Sequence, residues 1–144
     1  MADLKRKAGT FQTVGSTALN SLANDGRVLL TEFDNSTGLW MECEVEVNAG
    51  FASAPTAGNA INLFLVPCLD GTNYAAGDGT DAAQGSTFIG SVSVYNSTSA
   101  KRLVLAGVRM PPCKFKILVE NKTGQAFASS SNTVGFLPSY YQVG

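Results

Sequence analysis

Three glutamates stand at alternate positions in the segment from Leu39 to Asn48. A pair of carboxylates can serve as the acid and base of a glycosidase only when the two groups face each other across a cleft. On one strand they point the same way and repel one another, so we predict a face that is solvated or meets a partner. The carboxylates are Glu42, Glu44 and Glu46, and the opposite face, predicted to point inward, comprises Leu39, Met41, Cys43, Val45 and Val47.

Cations on a neighbouring strand are expected to offset this repulsion. The best candidates are Lys114 and Lys116, which alternate with apolar residues between Cys113 and Asn121. Trp40 adjoins the glutamate face, and three roles for it stay open. It is a partial core residue, a contact residue of an interface, or a surface on which a sugar stacks.

A compact basic cluster, Lys5-Arg6-Lys7, lies near the N-terminus. Two interpretations stay open: a solubilising tail, or an anchor onto an acidic surface. With a net charge of -1 and so small a cluster, we predict no direct binding of nucleic acid. No apolar run has the length of a membrane span or a signal-peptide core, so we expect synthesis in the cytoplasm and no membrane partner.

The segment from Leu69 to Gly85 is a long polar loop rich in aspartate and glycine. Its oxygen donors Asp70, Asn73, Asp78 and Asp81 are the kind that Ca²⁺ prefers, but their spacing is not that of an EF-hand. Asp-Gly turns in a solvated loop explain the same residues. We therefore predict no metal and no cofactor, and we regard Asp70 and Tyr74 as candidate contacts with a partner.

The residues that enzymes use most often are missing from the sequence. There is no histidine, no Gly-x-Ser-x-Gly elbow and no phosphate-binding loop, so an enzyme is the weakest class. The three cysteines, Cys43, Cys68 and Cys113, form no Cys-x-x-Cys pair. Each lies in an apolar stretch, so we expect buried, reduced thiols.

Length and composition indicate one folded domain. The chain has 144 residues, of which 44% are hydrophobic, which suffices for a core. Only 15% are charged, against about 25% in a typical soluble protein. Such a surface is more familiar in proteins that are packed into an assembly.

Alternating apolar residues and frequent turn residues predict an all-β, two-sheet sandwich of seven or eight short strands. The predicted strands are Arg27–Phe33, Leu39–Asn48, Ala60–Pro67, Phe88–Tyr95, Arg102–Val108, Cys113–Asn121 and Thr133–Tyr140, with a short one near Thr10–Val14. The nearly continuous apolar run Ala60–Pro67 favours a buried strand of the sandwich.

Three further features set the expected organisation. Asn-Ser-Thr-Gly at 35–38 and Asn-Lys-Thr-Gly at 121–124 are predicted to form corners between strands rather than glycosylation sites. Pro138 is predicted to confine the end of the last strand to a sheet edge or a terminus. Residues 1–25 are expected to form a polar arm that could hold a short strand or turn, and 26–144 the sandwich.

Several motifs occur in a characteristic order. The apolar strand Ala60–Pro67 is followed by Asp-Gly-Thr-Asn-Tyr at 70–74, Pro-Pro-Cys-Lys-Phe-Lys at 111–116, Glu-Asn-Lys-Thr-Gly-Gln-Ala at 120–126, Ser-Asn-Thr-Val at 131–134 and Tyr140-Tyr141. Over roughly residues 26–141 the chain resembles small virion structural proteins of tailed bacteriophages. The resemblance implies a single-domain, jelly-roll-like β-sandwich of about eight antiparallel strands and a non-enzymatic role.

Within that group, capsid cement or decoration proteins fit best. The resemblance then implies binding to the major capsid protein on the outer surface of the virion, by a homo-oligomer that is a dimer or trimer. A tail or head-fibre attachment module that binds carbohydrate through Trp40, Tyr74 and aspartate and asparagine residues of the loop is the alternative. The candidate partner-binding residues are Lys5, Arg6, Lys7, Trp40, Glu42, Glu44, Glu46, Asp70 and Tyr74.

Overall fold

The computed structural model describes residues 2–77 and 85–144, which are built almost entirely from β-strands. The strands are β1 (Leu4–Ala8), β2 (Gln12–Gly15), β3 (Arg27–Leu29), β4 (Phe33–Asp34), β5 (Glu42–Ala49), β6 (Ala60–Cys68), β7 (Phe88–Ser93), β8 (Lys101–Arg109), β9 (Lys114–Lys122) and β10 (Thr133–Val143). Two short 3₁₀ turns lie at Thr17–Leu19 and Gly85–Thr87. The predicted all-β sandwich is confirmed.

The strands form two antiparallel sheets. Sheet A has the order β1-β10-β5-β8, with β2 also on β10, and sheet B has the order β3-β9-β6-β7, with β4 also on β9. Because β1 and β2 pair with successive parts of β10, and β3 and β4 with β9, each pair acts as one interrupted strand. When each interrupted pair is counted as one strand, the two sheets contain eight strands. The first strand pairs with the last, the second with the seventh, the third with the sixth and the fourth with the fifth. This is the strand order of a jelly roll.

The alternation predicted for β5 is confirmed within the strand. Cys43, Val45 and Val47 are buried in the core between the sheets, and the intervening glutamates face outward. The prediction that Leu39 and Met41 point inward is wrong, since they are 57% and 55% exposed. They precede the strand, and Leu39 has a positive φ of 50°, which breaks the two-residue period before Glu42.

Strand β6 is buried, as its apolar run predicted, and the structure shows that both of its faces are covered. Ile61, Leu63 and Leu65 belong to the main core. Phe64 and Val66 point the other way, into a smaller cluster with Leu118 on the outside of sheet B. The loop that follows β6 covers this cluster with Tyr74 and Ala75, which is why the outer face tolerates large apolar side chains.

Pro138 does not lie at a sheet edge, so the prediction from proline chemistry is wrong. It lies within β10, a central strand, opposite Cys43 of β5. Its carbonyl accepts a hydrogen bond from Gly9 N at 2.8 Å, on the side where β10 changes partner from β1 to β2. The N and C=O of one residue point to the same side in an antiparallel strand, so the missing N–H falls at this junction and leaves the ladder with β5 intact.

The N-terminal region contributes two strands to sheet A. The predicted short strand near Thr10–Val14 corresponds to β2, and β1 was not predicted. All five residues of β1 are exposed, so it has no apolar alternation that the sequence could reveal. Hydrogen bonding to β10, rather than burial, holds Leu4–Ala8 in place.

The two predicted Asn corners are confirmed, and their asparagines are fully buried. Asn35 donates to the carbonyls of Trp40 and Pro111 at 2.9 and 2.8 Å and accepts from Trp40 N at 2.9 Å. Asn121 donates to the carbonyls of Leu22 and Gln125 at 3.0 and 2.8 Å. Each amide thus ties a corner to a segment remote in sequence.

The cysteines are free thiols. Cys43 and Cys68 are buried and Cys113 is half-buried, so the expectation of buried thiols holds for the first two. Burial, together with the neighbouring Glu44 and Glu42, raises the pKa of Cys43 to about 12.

Replacing Asn121 by alanine should destabilise the domain. The change removes the amide donor from the carbonyls of Leu22 and Gln125, which keep Phe127 N and Thr123 Oγ1 as partners, and it leaves the buried Thr123 N without its acceptor. We expect the free energy of unfolding to fall by about 1–3 kcal/mol in urea denaturation. Asn96 is the matched control, because it is exposed and also begins an Asn-x-Thr/Ser sequence. Asn96→Ala should change stability by no more than about 0.5 kcal/mol; equal effects would contradict a clamping role for Asn121.

The cysteines should be alkylated in a fixed order. The thiolate is the reactive form, so the high pKa and burial of Cys43 protect it. With iodoacetamide at pH 8, mass spectrometry should find Cys113 modified first and Cys43 and Cys68 only on unfolding. Equal rates for Cys43 and Cys113 in the native protein would show that β5 is not packed as described.

Candidate interaction surface

The outer face of sheet A brings together four of the residues singled out in the sequence. We call it the charged face, and it comprises Arg6, Phe11, Glu42, Glu44, Glu46, Arg102, Val104, Leu137 and Tyr141. The glutamates point outward because the alternate residues of β5 fill the core. The remaining candidates lie elsewhere, as described below.

Arg6 lies at the centre of a hydrogen-bond network on this face. Its Nη2 is 2.8 Å from Glu44 Oε1, and its Nε is 3.7 Å from Glu42 Oε1. The same Nε donates to Ser139 Oγ at 3.0 Å. Tyr141 completes the network, since its hydroxyl donates to Glu42 Oε1 at 3.0 Å.

Strand β8 supplies donors to Glu46 and to the second carboxylate oxygen of Glu44. Arg102 Nη1 is 2.8 Å from Glu46 Oε1. Glu44 Oε2 accepts a hydrogen bond from the backbone N of Gly107 at 3.0 Å. Gly107 lies in a β-bulge with a φ of +67°, a conformation that glycine adopts without strain, and this turns its N–H toward the carboxylate.

The network has electrostatic consequences for its members. The hydrogen bond to Glu44, with the charges of Glu42 and Glu44, raises the pKa of Arg6. The hydrogen bond to Glu42 raises the pKa of Tyr141, because ionisation would place a phenolate beside a carboxylate. All three glutamates are thus engaged by donors, and the face presents ordered, compensated charges rather than a free acid and base.

The cations on this face are not the ones that the sequence analysis expected. Lys114 and Lys116 lie on β9, which belongs to sheet B, so the prediction that they neighbour the glutamates is wrong. Strands β8 and β9 both carry basic residues near their starts, and alternation alone does not tell which of them pairs with β5. The register β5–β8 places Arg102 opposite Asn48, within reach of Glu46.

Apolar side chains are interspersed among these charges, and the sequence analysis missed them. Phe11, Tyr141 and Val104 are 45%, 46% and 59% exposed. Phe11 lies over Gly135, where a Cβ would come within 2.6 Å of the phenyl ring. The sequence offers little indication of them, because the strand predicted near Thr10–Val14 is too short to show which face Phe11 occupies, and Val104 looks like one more alternating residue.

Trp40 lies at one end of the sandwich, not within the charged face. Its ring meets the Tyr140 ring edge-on at 5.0 Å and packs closely against Gly9 and Gly38. It is half-buried against the main core, which supports the first of its three predicted roles. Lys7, in register with Tyr140, lies at the same end, and Lys5 precedes it along β1.

Asp70 and Tyr74 lie beside sheet B. Asp70 Oδ1 accepts from the backbone N of Thr72 and Asn73 at 2.8 and 2.7 Å, and its Oδ2 accepts from Asn73 Nδ2 at 2.8 Å. Both oxygens of Asp70 therefore accept hydrogen bonds within the turn itself. The centroid of the Tyr74 ring lies 4.4 Å from Lys116 Nζ. The other aspartates of the loop considered as a calcium site, Asp78 and Asp81, lie outside the described residues.

Within residues 2–77 and 85–144, no group of three or more carboxylate or cysteine side chains is arranged to hold a metal ion. None of the helices in the described part of the chain has the length and apolar character needed to cross a membrane. No protein-family model matches the chain, and no curated protein matches it either.

The Asp70 turn predicts an unusual titration. Hydrogen bonds from the backbone and side chain of Asn73, and from Thr72 N, lower the pKa of Asp70 to about 2. Asn73→Ala removes one of these bonds and keeps the backbone ones, so the pKa should rise but stay below the ordinary value of 3.8. Side-chain carbonyl shifts in an NMR titration measure this, and an unchanged pKa would show that the Asn73 side chain does not hold the carboxylate.

Proposed function

We propose that this protein is a non-enzymatic structural protein of a bacteriophage virion. Its role is that of a capsid cement or decoration protein, which binds the shell of the major capsid protein from outside and stabilises it. The observation that carries the proposal is the charged face, an ordered sheet surface in which compensated charges alternate with exposed apolar side chains. The resemblance of the motifs between 60 and 141 to phage virion proteins points the same way.

The fold supports this role at the level of architecture. Jelly rolls with this strand order recur in viral capsid domains and in lectins. Fold alone does not decide function, so the argument depends on the surface. That surface offers a broad, nearly continuous sheet face, which suits a flat protein partner better than a small substrate.

The physical properties of the charged face suit protein docking. Removing unpaired charges from water is costly, whereas Arg6 and Arg102 already form ion pairs with the three glutamates before any partner arrives. Because these side chains are also held by Ser139, Tyr141 and Gly107, less side-chain entropy is lost on binding. The exposed Val104 and Phe11 then supply apolar area.

Assembly on a shell multiplies such contacts. A dimer or trimer, the oligomeric state proposed here, places several charged faces on neighbouring shell subunits at once. Each contact can then be weak, since linked sites raise the effective concentration of the next.

The carbohydrate-binding alternative fits the side chains less well. A single site would need Trp40 and Tyr74 together, but Trp40 packs against the main core and Tyr74 against the outer cluster of sheet B. Much of the Trp40 surface is occupied by Gly9, Gly38 and Tyr140. A glycan array in which Trp40→Ala abolishes binding would favour the alternative.

Particle occupancy tests the proposal. Purified phage particles should contain the chain in stoichiometric amounts, and a particle reconstruction should place the charged face against the capsid protein. Val104→Lys should reduce occupancy of particles that lack the native chain by about tenfold or more, because a charge replaces apolar contact area. Occupancy is read by quantitative mass spectrometry after sedimentation.

Tyr95→Lys is the matched control for this experiment. Tyr95 is 61% exposed, close to the 59% of Val104, but it follows β7 of sheet B and lies outside the charged face. The Tyr95→Lys variant should leave particle occupancy unchanged, and both Val104→Lys and Tyr95→Lys should keep the native unfolding temperature. Full occupancy by the Val104 variant, or absence of the chain from particles, would refute the proposal.

A further inference from the structure

A second surface feature lies at the rim of the sandwich. A cleft of about 380 Å³ opens where β6, β7 and the β8–β9 connection meet. Its walls are mainly apolar, and the residues that matter here are Pro67, Leu69, Phe88, Arg109, Pro111 and Pro112. The volume falls within the range of about 300–1,000 Å³ typical of ligand sites, but the cleft is open to solvent on one side.

The apolar wall is exposed and yet held in place. Leu69 is 81% exposed and Phe88 is 47% exposed. The Phe88 ring meets the buried Phe64 ring edge-on at 5.5 Å, so the underlying cluster fixes its position. Large apolar side chains that stay exposed together at a concave surface mark a site that gains from being covered.

The rim of the cleft does not favour recognition of a peptide backbone. The three prolines have no N–H to donate. The carbonyl of Pro67 already accepts from Ala75 N at 2.9 Å, and that of Pro111 accepts from Asn35 Nδ2 at 2.8 Å. An occupant is therefore recognised here through an apolar side chain rather than by adding a strand.

One cation, Arg109, lines the cleft. Its register neighbour on β5 is Glu42, but that carboxylate is engaged by Arg6 and by the hydroxyl of Tyr141. No carboxylate of the described residues comes within ion-pair distance of Arg109. Its guanidinium is thus available to an anion, and arginine binds carboxylates with good geometry.

We propose that the cleft docks an extended segment of the shell protein in which an apolar side chain stands next to a carboxylate. The apolar group lies against Leu69 and Phe88, and the carboxylate pairs with Arg109. An open cleft covers one side of an extended chain, which suits a protein segment. This inference rests on the proposed function, and it fits the position of Arg109, which also borders a hollow with Met41 and Tyr141 beside the charged face.

Peptide binding to the full-length chain tests the cleft without any particle. The probe is a capped hexapeptide, GLFDLG, and its twin is the same peptide with asparagine in place of aspartate. In ¹⁵N NMR titrations up to about 1 mM, we expect the acidic peptide to shift the amides of Leu69, Phe88 and Arg109. It should bind roughly two- to fivefold more tightly than its twin, the size of a partly exposed ion pair.

Two exposed variants separate the two contacts. Arg109→Gln should abolish the preference for the acidic peptide, and Leu69→Ser should weaken both peptides by about fivefold. Lys101→Gln is the matched control, since Lys101 is an exposed cation of the same strand that lies outside the cleft and the charged face, and it should keep the preference. Shifts confined to other surfaces, or an equal loss in the Lys101 and Arg109 variants, would overturn the inference.

Other outcomes identify which proposal fails. If Leu69→Ser converts an oligomer to a monomer in sedimentation, a second copy occupies the cleft and the inference is wrong. Peptide binding as expected by a chain that is absent from particles would refute the proposed function while leaving a peptide site. Full particle occupancy by Leu69→Ser and Arg109→Gln would refute the cleft and leave the cement role intact.

Discussion

Three buried side-chain amides hold the ends of this sandwich together. A jelly roll has long connections between its sheets, and their backbone groups must find partners once they are buried. Asn35, Asn121 and Asn132 supply those partners, and each both donates and accepts. Asn132, for example, accepts from Gly50 N and donates to the carbonyl of Ala128. Neutral amides suit this task, because they satisfy carbonyls and N–H groups alike without burying a charge.

These buried asparagines also fix the surfaces on which the proposed function depends. The bond from Asn35 to the carbonyl of Pro111 fixes one wall of the cleft. Asn132 donates to Asn20 and accepts from Gly50, and so joins the ends of β5 and β10, whose outer faces form most of the charged face. A surface that is fixed before docking loses little entropy on binding. The same polar contacts therefore serve folding and, in our proposal, attachment.

The sequence carries its information mainly in local patterns. Period-two alternation was sufficient for β5 and β9, a continuous apolar run for β6, and turn chemistry for the corners at Asn35 and Asn121. Each of these depends on residues within a few positions of one another, where side-chain direction follows from backbone geometry.

Long-range pairing was beyond such patterns. Whether β5 lies beside β8 or β9 depends on the whole strand order, so Arg102 could not be distinguished from Lys114 as the partner of a glutamate. The tolerance of Pro138 inside a central strand depends on where β1 gives way to β2. Arg6 stood out in the sequence, but only the register of β1 on β10 brings it to Glu44.

The distribution of charge is one reason why we propose contacts on the charged face and in the cleft rather than along the sheet edges. Unpaired strand edges invite further strands, and lysine on an edge strand discourages this. In sheet A, the edge strand β1 carries Lys5 and Lys7, and the opposite edge strand β8 begins with Lys101. The low net charge thus conceals two different roles for the basic residues of sheet A. Exposed lysines keep the edges from pairing, whereas the arginines of the same two strands, Arg6 and Arg102, form ion pairs with glutamates of β5 and, in our proposal, leave the broad face free to meet a partner.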